Sequence, residues 1–267
     1  MIDFREVRLP EWSPVERIWL ARGPAGGQQS ASGSRETILP DGRFELIFNF
    51  GDVVLQDGQP QPRAMLAAET RRAVTIEPTG AADFLGMTLR DGCAAQVIGV
   101  PLREVRDRML EFPTLLFDRL GNATDGERVK LLMECGSSAA ALKAAAEPPH
   151  SIAEHAAAAI RRTHGRVSIT RLARVCGVSI RTLNRAFDRS LGMTPKTLAR
   201  VCRLNRAASL LRDGNAAADV ALDAGFCDQP HLVNEFRAIA GLSPSRWIEL
   251  PPGLGVQFLQ DGQETSL

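Results

Sequence analysis

The strongest constraint in the sequence is a plan that occurs twice in its last third: a short helical pattern, a three-residue turn containing Gly, and a second helical pattern. In the first copy Ser168 precedes residues 169–175, the turn is 176–178, and Ser179 precedes residues 180–189. A Ser before a helix accepts a hydrogen bond from an N–H of the first turn, so both are predicted N-caps. This copy therefore predicts a helix-turn-helix.

The second copy follows the same order. Asn215 is the predicted cap of residues 216–223, the turn is 224–226, and Asp228 precedes the helical pattern 229–240. The uninterrupted pattern 195–212 between the copies predicts a helix about 27 Å long at 1.5 Å per residue. With its flanking turns, such a helix can hold two recognition helices about 34 Å apart, one turn of duplex DNA.

Each motif separates an apolar side from a polar side. The apolar sides are predicted to be buried, and they comprise Leu172, Val175, Val178, Leu183 and Phe187 in the first motif and Leu222, Phe226, Leu232, Phe236 and Ile239 in the second. Arg reads guanine and Asn reads adenine in the major groove. The predicted DNA-binding residues are Arg181, Thr182, Asn184 and Arg185 in the first motif and Gln229, Pro230, His231, Asn234 and Arg237 in the second.

The charge distribution agrees with a DNA partner. The whole chain has a formal charge of only +1, but residues 160–249 contain 15 Lys and Arg against 7 Asp and Glu. A basic segment beside an acidic one is typical of a domain that faces a polyanion, although a solvated helical surface has the same composition. Arg200, Arg203 and Arg206 are candidate phosphate contacts, which would make DNA affinity salt-dependent.

The segment 151–250 resembles the DNA-binding domain of the AraC/XylS family of transcription regulators. The resemblance rests on Gly225-Phe226, Phe236, Gly241, Ser243-Pro244 and the series Leu183, Arg185, Phe187, Gly192 and Pro195. It implies base contacts near the start of each recognition helix, by Arg181, Asn184 and Arg185 and by Gln229, Pro230 and Asn234. We expect the first helix to carry most of the sequence specificity and the second to add position and affinity.

The first half of the chain is predicted to be β-rich. Turn residues bound strand-like runs at 43–50, 53–56, 73–77 and 82–89, which predicts a small barrel or sandwich. Helical spacing follows at 99–108, which Met109 continues, at 112–120 and at 127–142, and residues 22–34 are predicted to form a loop. The predicted fold class is α+β: a barrel-like β-rich domain with a helical part from about 94 (1–143), a linker (144–150), an all-α DNA-binding domain (151–250) and a tail (251–267).

The segment 39–52 resembles the cupin-like sensor domains attached to such regulators. That resemblance implies small-molecule binding or dimerisation, and Glu45 and Asn49, on one side of a strand, are candidate pocket residues. No His precedes His150, so neither a metal nor a cofactor is expected, and no nucleophile–base pair predicts an enzyme. The alternatives are a constitutive regulator whose first domain only dimerises, and a small-molecule-binding protein or enzyme with accessory DNA binding.

The expected setting follows from other features. The first residues lack a signal pattern, no apolar run reaches 18 residues, and the five cysteines show no metal-ligand spacing. These features predict a cytoplasmic protein with reduced thiols and no membrane partner. The expected partners are double-stranded DNA, a small-molecule effector, a second copy of the chain in a homodimer and, if the protein is an activator, RNA polymerase.

Overall fold

The computed structural model describes residues 3–10, 13–23, 35–68, 70–94, 98, 102–111, 115–141 and 152–250. The predicted linker 144–150 and tail 251–267 lie outside the described residues, as does most of the predicted loop 22–34. Arg22 and Gly23, at the start of that loop prediction, instead end a strand.

The first half of the described chain consists mainly of antiparallel strands. They are β1 (Asp3–Arg8), β2 (Val15–Gly23), β3 (Glu36–Ile38), β4 (Glu45–Asn49), β5 (Val54–Gln56), β6 (Gln59–Pro60), β7 (Ala64–Ala67), β8 (Val74–Pro78), β9 (Ala82–Leu89) and β10 (Met109–Glu111). One sheet has the order β1-β2-β9-β4-β7-β10 and the other has the order β3-β8-β5-β6.

The described strands form two separate sheets rather than a closed barrel, so the sandwich alternative holds and the barrel expectation was wrong. The strands of the small sheet hydrogen-bond only to one another within the described part of the chain. The two sheets face each other across an apolar layer in which Trp19 and Phe84 of the large sheet meet Val54 and Ile76 of the small one.

The other face of the large sheet packs on helices. These are α1 (Leu102–Val105), α2 (Leu116–Gly121) and α3 (Asp125–Ala141), and their Leu102, Leu120 and Leu132 join the sheet's core. The predicted helix 99–108 is thus short, and Met109, placed on it by its spacing, begins β10 instead. Pairing with β7 supplies hydrogen-bond partners for the backbone of this segment at the sheet edge. Local spacing cannot reveal such a pairing.

The last hundred described residues are helical. The helices are α4 (Ile152–Arg162), α5 (Ile169–Val175), α6 (Ile180–Leu191), α7 (Pro195–Arg212), α8 (Ala217–Asp223), α9 (Gln229–Ala240) and α10 (Pro244–Glu249). Helices α5 and α6 form the first helix-turn-helix and α8 and α9 the second. The long connecting helix α7 has the predicted bounds.

Most predicted caps and buried positions of the two motifs are confirmed. Ser168, Ser179 and Asp228 cap α5, α6 and α9 with side-chain acceptors. Asn215 does not cap α8: Ala216 holds that position, and the Asn215 amide donates to the Leu210 carbonyl at 2.9 Å.

Two residues predicted to be buried in the core are exposed instead. Val175 is 76% exposed and Leu222 is 62% exposed. Each lies in the last turn of the first helix of its motif, where Leu172 and Val220 already supply the buried contacts. Helical periodicity identifies the face of a helix that turns toward the core, but it does not show whether the last turn of a short helix is covered by other elements.

Candidate nucleic-acid interface and domain junction

Helix α6 presents a polar face held in place by its buried opposite face. Its N-cap is Ser179, whose hydroxyl accepts a hydrogen bond from the Thr182 N–H at 3.1 Å. Leu183 and Phe187 are fully buried and fix the rotation of the helix. The four predicted residues of this helix, Arg181, Thr182, Asn184 and Arg185, are all exposed.

Arg181 and Arg185 are one helical turn apart, and Asn184 adjoins both on the same face. The first-half domain leaves this face uncovered in the full chain, because these residues remain exposed with all described residues present. Two guanidinium groups and one amide on an exposed, rigidly oriented helix can donate paired hydrogen bonds to base edges or phosphates.

Helix α9 is oriented in the same way but presents fewer free groups. Gln229, Pro230, Asn234 and Arg237 are exposed. His231 is half-buried: its Nδ1 accepts from the Cys227 N–H at 3.3 Å, and its ring meets the Phe226 ring edge-on with centroids 5.4 Å apart. The second motif therefore uses His231 to close its own turn.

Two of the three candidate phosphate-binding arginines contact the protein itself. Arg200 on α7 forms a bidentate ion pair with Glu235 on α9, at 2.7 and 3.1 Å. The guanidinium of Arg203 lies 5.8 Å from the centre of the Phe226 ring. Both arginines thus help to hold the second motif on the long helix, whereas Arg206 is exposed.

Arg161, at the end of α4, joins the DNA-binding helices to the first-half domain. Its guanidinium donates to both carboxylate oxygens of Asp91, at 2.7 and 2.8 Å, and to the backbone carbonyls of Asp41 and Gly42, both at 2.9 Å. Burial raises the pKa of the Asp91 carboxyl, but the charges of Arg161, Arg43 and Arg90 and the Arg161 hydrogen bond together outweigh it and hold that pKa below its ordinary value. Local sequence patterns do not reveal Arg161, because its partners lie far away in the chain.

The segment 39–42, which we call the junction segment, has further contacts with the helices. Leu39 is buried in the core of α7, α8 and α9, and the Pro40 carbonyl accepts from the Asn205 side chain of α7 at 2.9 Å. Gly42 has a φ of +70°, and a Cβ there would lie 2.9 Å from the Leu198 side chain of α7. The junction segment is therefore packed directly against the connecting helix.

Two other contacts link the first-half domain to the recognition helices. The Ala73 N–H donates to the Ile239 carbonyl at the end of α9, at 2.7 Å. Arg106 pairs with Asp188 on α6 at 2.8 Å. The contacts reach the later turns of both recognition helices and leave their first turns exposed.

A cavity of about 180 Å³ lies between the two sheets. The large sheet contributes Trp19, Ile47 and Phe84 to its lining, and the small sheet contributes Val74 and Ile76. Residues 39–41 of the junction segment form another part of the wall. The same three residues thus line the cavity on one side and face the DNA-binding helices on the other.

Glu45, a predicted pocket residue, is one of the polar groups of this lining. Its Oε1 accepts from the Thr88 hydroxyl at 2.6 Å and lies 3.8 Å from Arg17 Nη2. Burial raises the pKa of the Glu45 carboxyl, and the nearby Asp41 charge adds to that rise, while Arg17 opposes it.

Asn49, the other predicted pocket residue, is buried away from this lining. Its amide donates to the Asp52 carbonyl at 2.8 Å, and its side-chain oxygen accepts from the Gly51 N–H at 2.9 Å. These bonds shape the turn after β4. Other pocket residues, such as Trp19, lie on β2, which is not among the strands predicted from the sequence.

Other kinds of site find little support in the described chain. Among its residues, no three His, Cys, Asp or Glu side chains are grouped so that they could hold a metal ion. No described helix combines the length and apolar character needed to cross a membrane. Burial raises the pKa of the Cys93 thiol to about 11, so this cysteine stays a neutral thiol at neutral pH.

Comparison with known proteins agrees with the site geometry. A family model described as a helix-turn-helix domain matches residues 172–249. A crystal structure of ToxT from Vibrio cholerae O395 has the same two-domain fold, with a TM-score of 0.51 over 95% of this chain and 99% of that chain at 10% identity. Residues 172–249 thus form a helix-turn-helix domain of the AraC type.

The two halves of the chain match different family models. Residues 13–111 match a model described as a domain of unknown function (DUF6597). A probable AraC family transcriptional regulator from Rhodopseudomonas palustris CGA009 is 29% identical over 37% of this chain and 94% of that chain, with a TM-score of 0.34. A comparison with curated protein sequences finds no match.

Proposed function

We propose that this regulator reads a specific DNA sequence mainly through α6 and adjusts that binding to a small molecule held between the two sheets. The observation that carries the first part is the exposed set Arg181, Asn184 and Arg185 on a helix whose rotation is fixed by Leu183 and Phe187. Thr182 lies beside this set and can add a phosphate contact.

The second recognition helix has a supporting role in this proposal. Gln229, Asn234 and Arg237 are exposed and can reach DNA, while Pro230 offers only an apolar contact. His231 is engaged with Cys227 and Phe226, so its contribution to base reading is small. We infer that α9 adds affinity and fixes position on an asymmetric pair of half-sites.

The junction segment supports the ligand-responsive part of the proposal. Its residues 39–41 line the cavity, and its neighbours Arg161 and Asn205 belong to the DNA-binding helices. A ligand that moves this segment changes the contacts of α4 and α7. Ligand binding can then shift the relative positions of the two motifs and so change DNA affinity.

In vitro selection of DNA fragments by the full chain tests the reading function. We expect one enriched sequence with two unequal halves about one helical turn apart. Selection repeated with Arg181→Ala/Arg185→Ala should lose the information in one half and keep it in the other. Enrichment of no sequence by the folded wild-type chain would contradict the proposal.

The remaining expectations belong to the same proposal. We infer domains at 1–143 and 151–250 with a linker between them, a cytoplasmic location, a homodimer, and RNA polymerase as a partner if the protein activates transcription. The effector acts without chemical turnover in this scheme. The second candidate, a constitutive regulator whose first domain only dimerises, predicts that no ligand raises the melting temperature of the chain.

A further inference from the structure

The polar end of the inter-sheet cavity contains more carboxylates than cations. One buried guanidinium, that of Arg17, lies between three carboxylates: 3.6 Å from Glu6, 3.8 Å from Glu45 and 3.9 Å from Asp41. Arg8 also pairs with Glu6, at 3.0 Å, and so balances the charge of that carboxylate. Glu45 and Asp41, the two that line the cavity, both face Arg17, and the charge of Arg161 also acts on Asp41.

Hydrogen bonds fix Glu45 as an acceptor. Arg17 Nε donates to the Thr88 hydroxyl oxygen at 3.1 Å, so that hydroxyl directs its own proton to Glu45 Oε1, 2.6 Å away. Thr88 is fully buried, and the arrangement holds the carboxylate in one orientation at the cavity wall. A ligand atom that meets Glu45 is therefore favoured if it is a hydrogen-bond donor.

The other cations of the lining are engaged or peripheral. Arg43 forms a bidentate pair with Glu16, one of whose bonds measures 2.8 Å. Arg108 is exposed and lies beside Asp107, whose carboxylate pairs with Arg71. An anionic ligand head would thus meet two carboxylates at the buried end of the cavity, whereas a cationic head would neutralise their excess charge.

The rest of the lining sets the size and character of the ligand body. Trp19, Ile47, Ile76 and Phe84 supply apolar and aromatic walls, and aromatic faces also attract cations. A dry cavity of about 150 Å³ accommodates benzene in other proteins, so about 180 Å³ suits one ring with a short side chain.

Building on the proposed sensor function, we propose that the cavity binds a small arylalkyl or alkyl amine, with its ammonium group at Glu45 and Asp41. The ammonium donates to both carboxylates, and the apolar body packs against Trp19 and Phe84. The chemical class of the ligand follows from the carboxylates at the polar end of the cavity, and the size of the ligand follows from the cavity volume.

Three single-ring probes with the same two-carbon link between ring and head group test the proposed ligand class on the full chain. They are 2-phenylethylamine, an ammonium at neutral pH, the alcohol 2-phenylethanol and the carboxylate 3-phenylpropanoate. Calorimetric titration and thermal melting should show binding and stabilisation by the amine, weaker effects of the alcohol and none of the carboxylate. Equal or tighter binding of the carboxylate, or no binding of the amine at millimolar concentration, overturns the proposal.

Variants then locate the amine. Glu45→Gln should weaken amine binding about tenfold or more, because a charge-assisted hydrogen bond becomes a neutral one. Glu111→Gln, which removes an exposed carboxylate of the same domain outside the lining, should leave amine affinity unchanged. An unchanged amine affinity in a folded Glu45→Gln chain overturns the assignment of Glu45 as an ammonium partner. If that variant does not fold, the comparison of the three probes on the wild-type chain still tests the ligand class.

The selection experiment keeps the two proposals apart. A chain that enriches a DNA sequence but binds no amine remains a sequence-specific regulator, and only the ligand class fails. A chain that binds the amine but enriches no DNA sequence keeps the ligand class, and the proposed reading function fails.

Discussion

Arg185 lies on the exposed face of α6, one turn after Arg181 and opposite the buried Phe187. Its guanidinium can form two parallel hydrogen bonds with a guanine or a phosphate, which a Lys in its place cannot. Its position on a helix held by a packed face makes the direction of those bonds reproducible.

We expect Arg185→Ala to weaken binding to the selected DNA sequence by about 1–3 kcal/mol and to relax specificity at one or two base pairs. Fluorescence anisotropy titrations against the selected site and its single-base variants measure both effects. Arg35→Ala is the matched control, because it removes the same charge from the exposed edge of the small sheet. Equal losses in the two variants would mean that only the overall charge matters.

At the same scale, Asp91 and Arg161 form a pair whose pH response has a definite sign. Burial raises the pKa of Asp91, but Arg161, with the charges of Arg43 and Arg90, lowers it by more, so the folded-state pKa is depressed. Such a group stabilises the fold above its unfolded pKa and loses that contribution as pH falls through the folded value. We expect urea unfolding to show the pair's contribution intact at pH 7 and declining below about pH 4. An Asp91→Asn/Arg161→Met chain should lack that share of the acid sensitivity.

At the scale of elements, Gly86 on β9 permits the close approach of β2. A Cβ at Gly86 would lie 1.9 Å from Trp19 Cε2, so the indole of the cavity wall occupies the space of the missing side chain. We expect Gly86→Ala to displace the indole and to lower the free energy of unfolding by about 1–3 kcal/mol. Urea unfolding of the single variant and of Gly86→Ala/Trp19→Leu tests this, because the smaller side chain should restore part of the loss. Additive losses in the double variant would show that the two residues do not compete for this space.

Elements also show what the sequence could and could not predict. The bounds of α7 and the caps Ser179 and Asp228 were predictable because they depend on neighbouring residues. Met109 was placed on a helix because its spacing is helical, yet its segment pairs with β7 more than forty residues earlier in the chain. Such pairings depend on the tertiary fold rather than on local periodicity.

The candidate site divides in the same way. The exposed polar face of α6 could be predicted because its spacing is local, and its contacts with bases stay a prediction. Glu45 was identified from strand alternation, but the Arg17 and Thr88 groups that orient it come from two other strands. Arg161 was missed because its role depends on Asp91 and the junction segment, which no short-range pattern connects to α4.

At the scale of the whole molecule, the Arg161–Asp91 pair attaches the first-half domain to the DNA-binding helices. We expect Arg161→Met to destabilise the full chain by about 3 kcal/mol, since the buried Asp91 carboxylate loses both hydrogen bonds from Arg161 and keeps Arg43, 3.8 Å away. Asp91→Asn/Arg161→Met should lose less, because no unpaired charge remains. Thermal and urea unfolding give these values. Similar losses in the single and double variants would show that the carboxylate does not depend on Arg161.

The junction segment couples ligand binding to operator binding in the proposed function. Binding free energies are reciprocal: a ligand that changes operator affinity by some factor has its own affinity changed by the same factor when the operator is bound. In the proposed function, residues 39–41 belong to both the cavity wall and the helix contacts, so operator DNA acts as an effector of the proposed sensor. A chain on its operator therefore responds at a different ligand concentration from a chain in free solution. Two promoters that hold the helices differently would switch at different thresholds in the same cell.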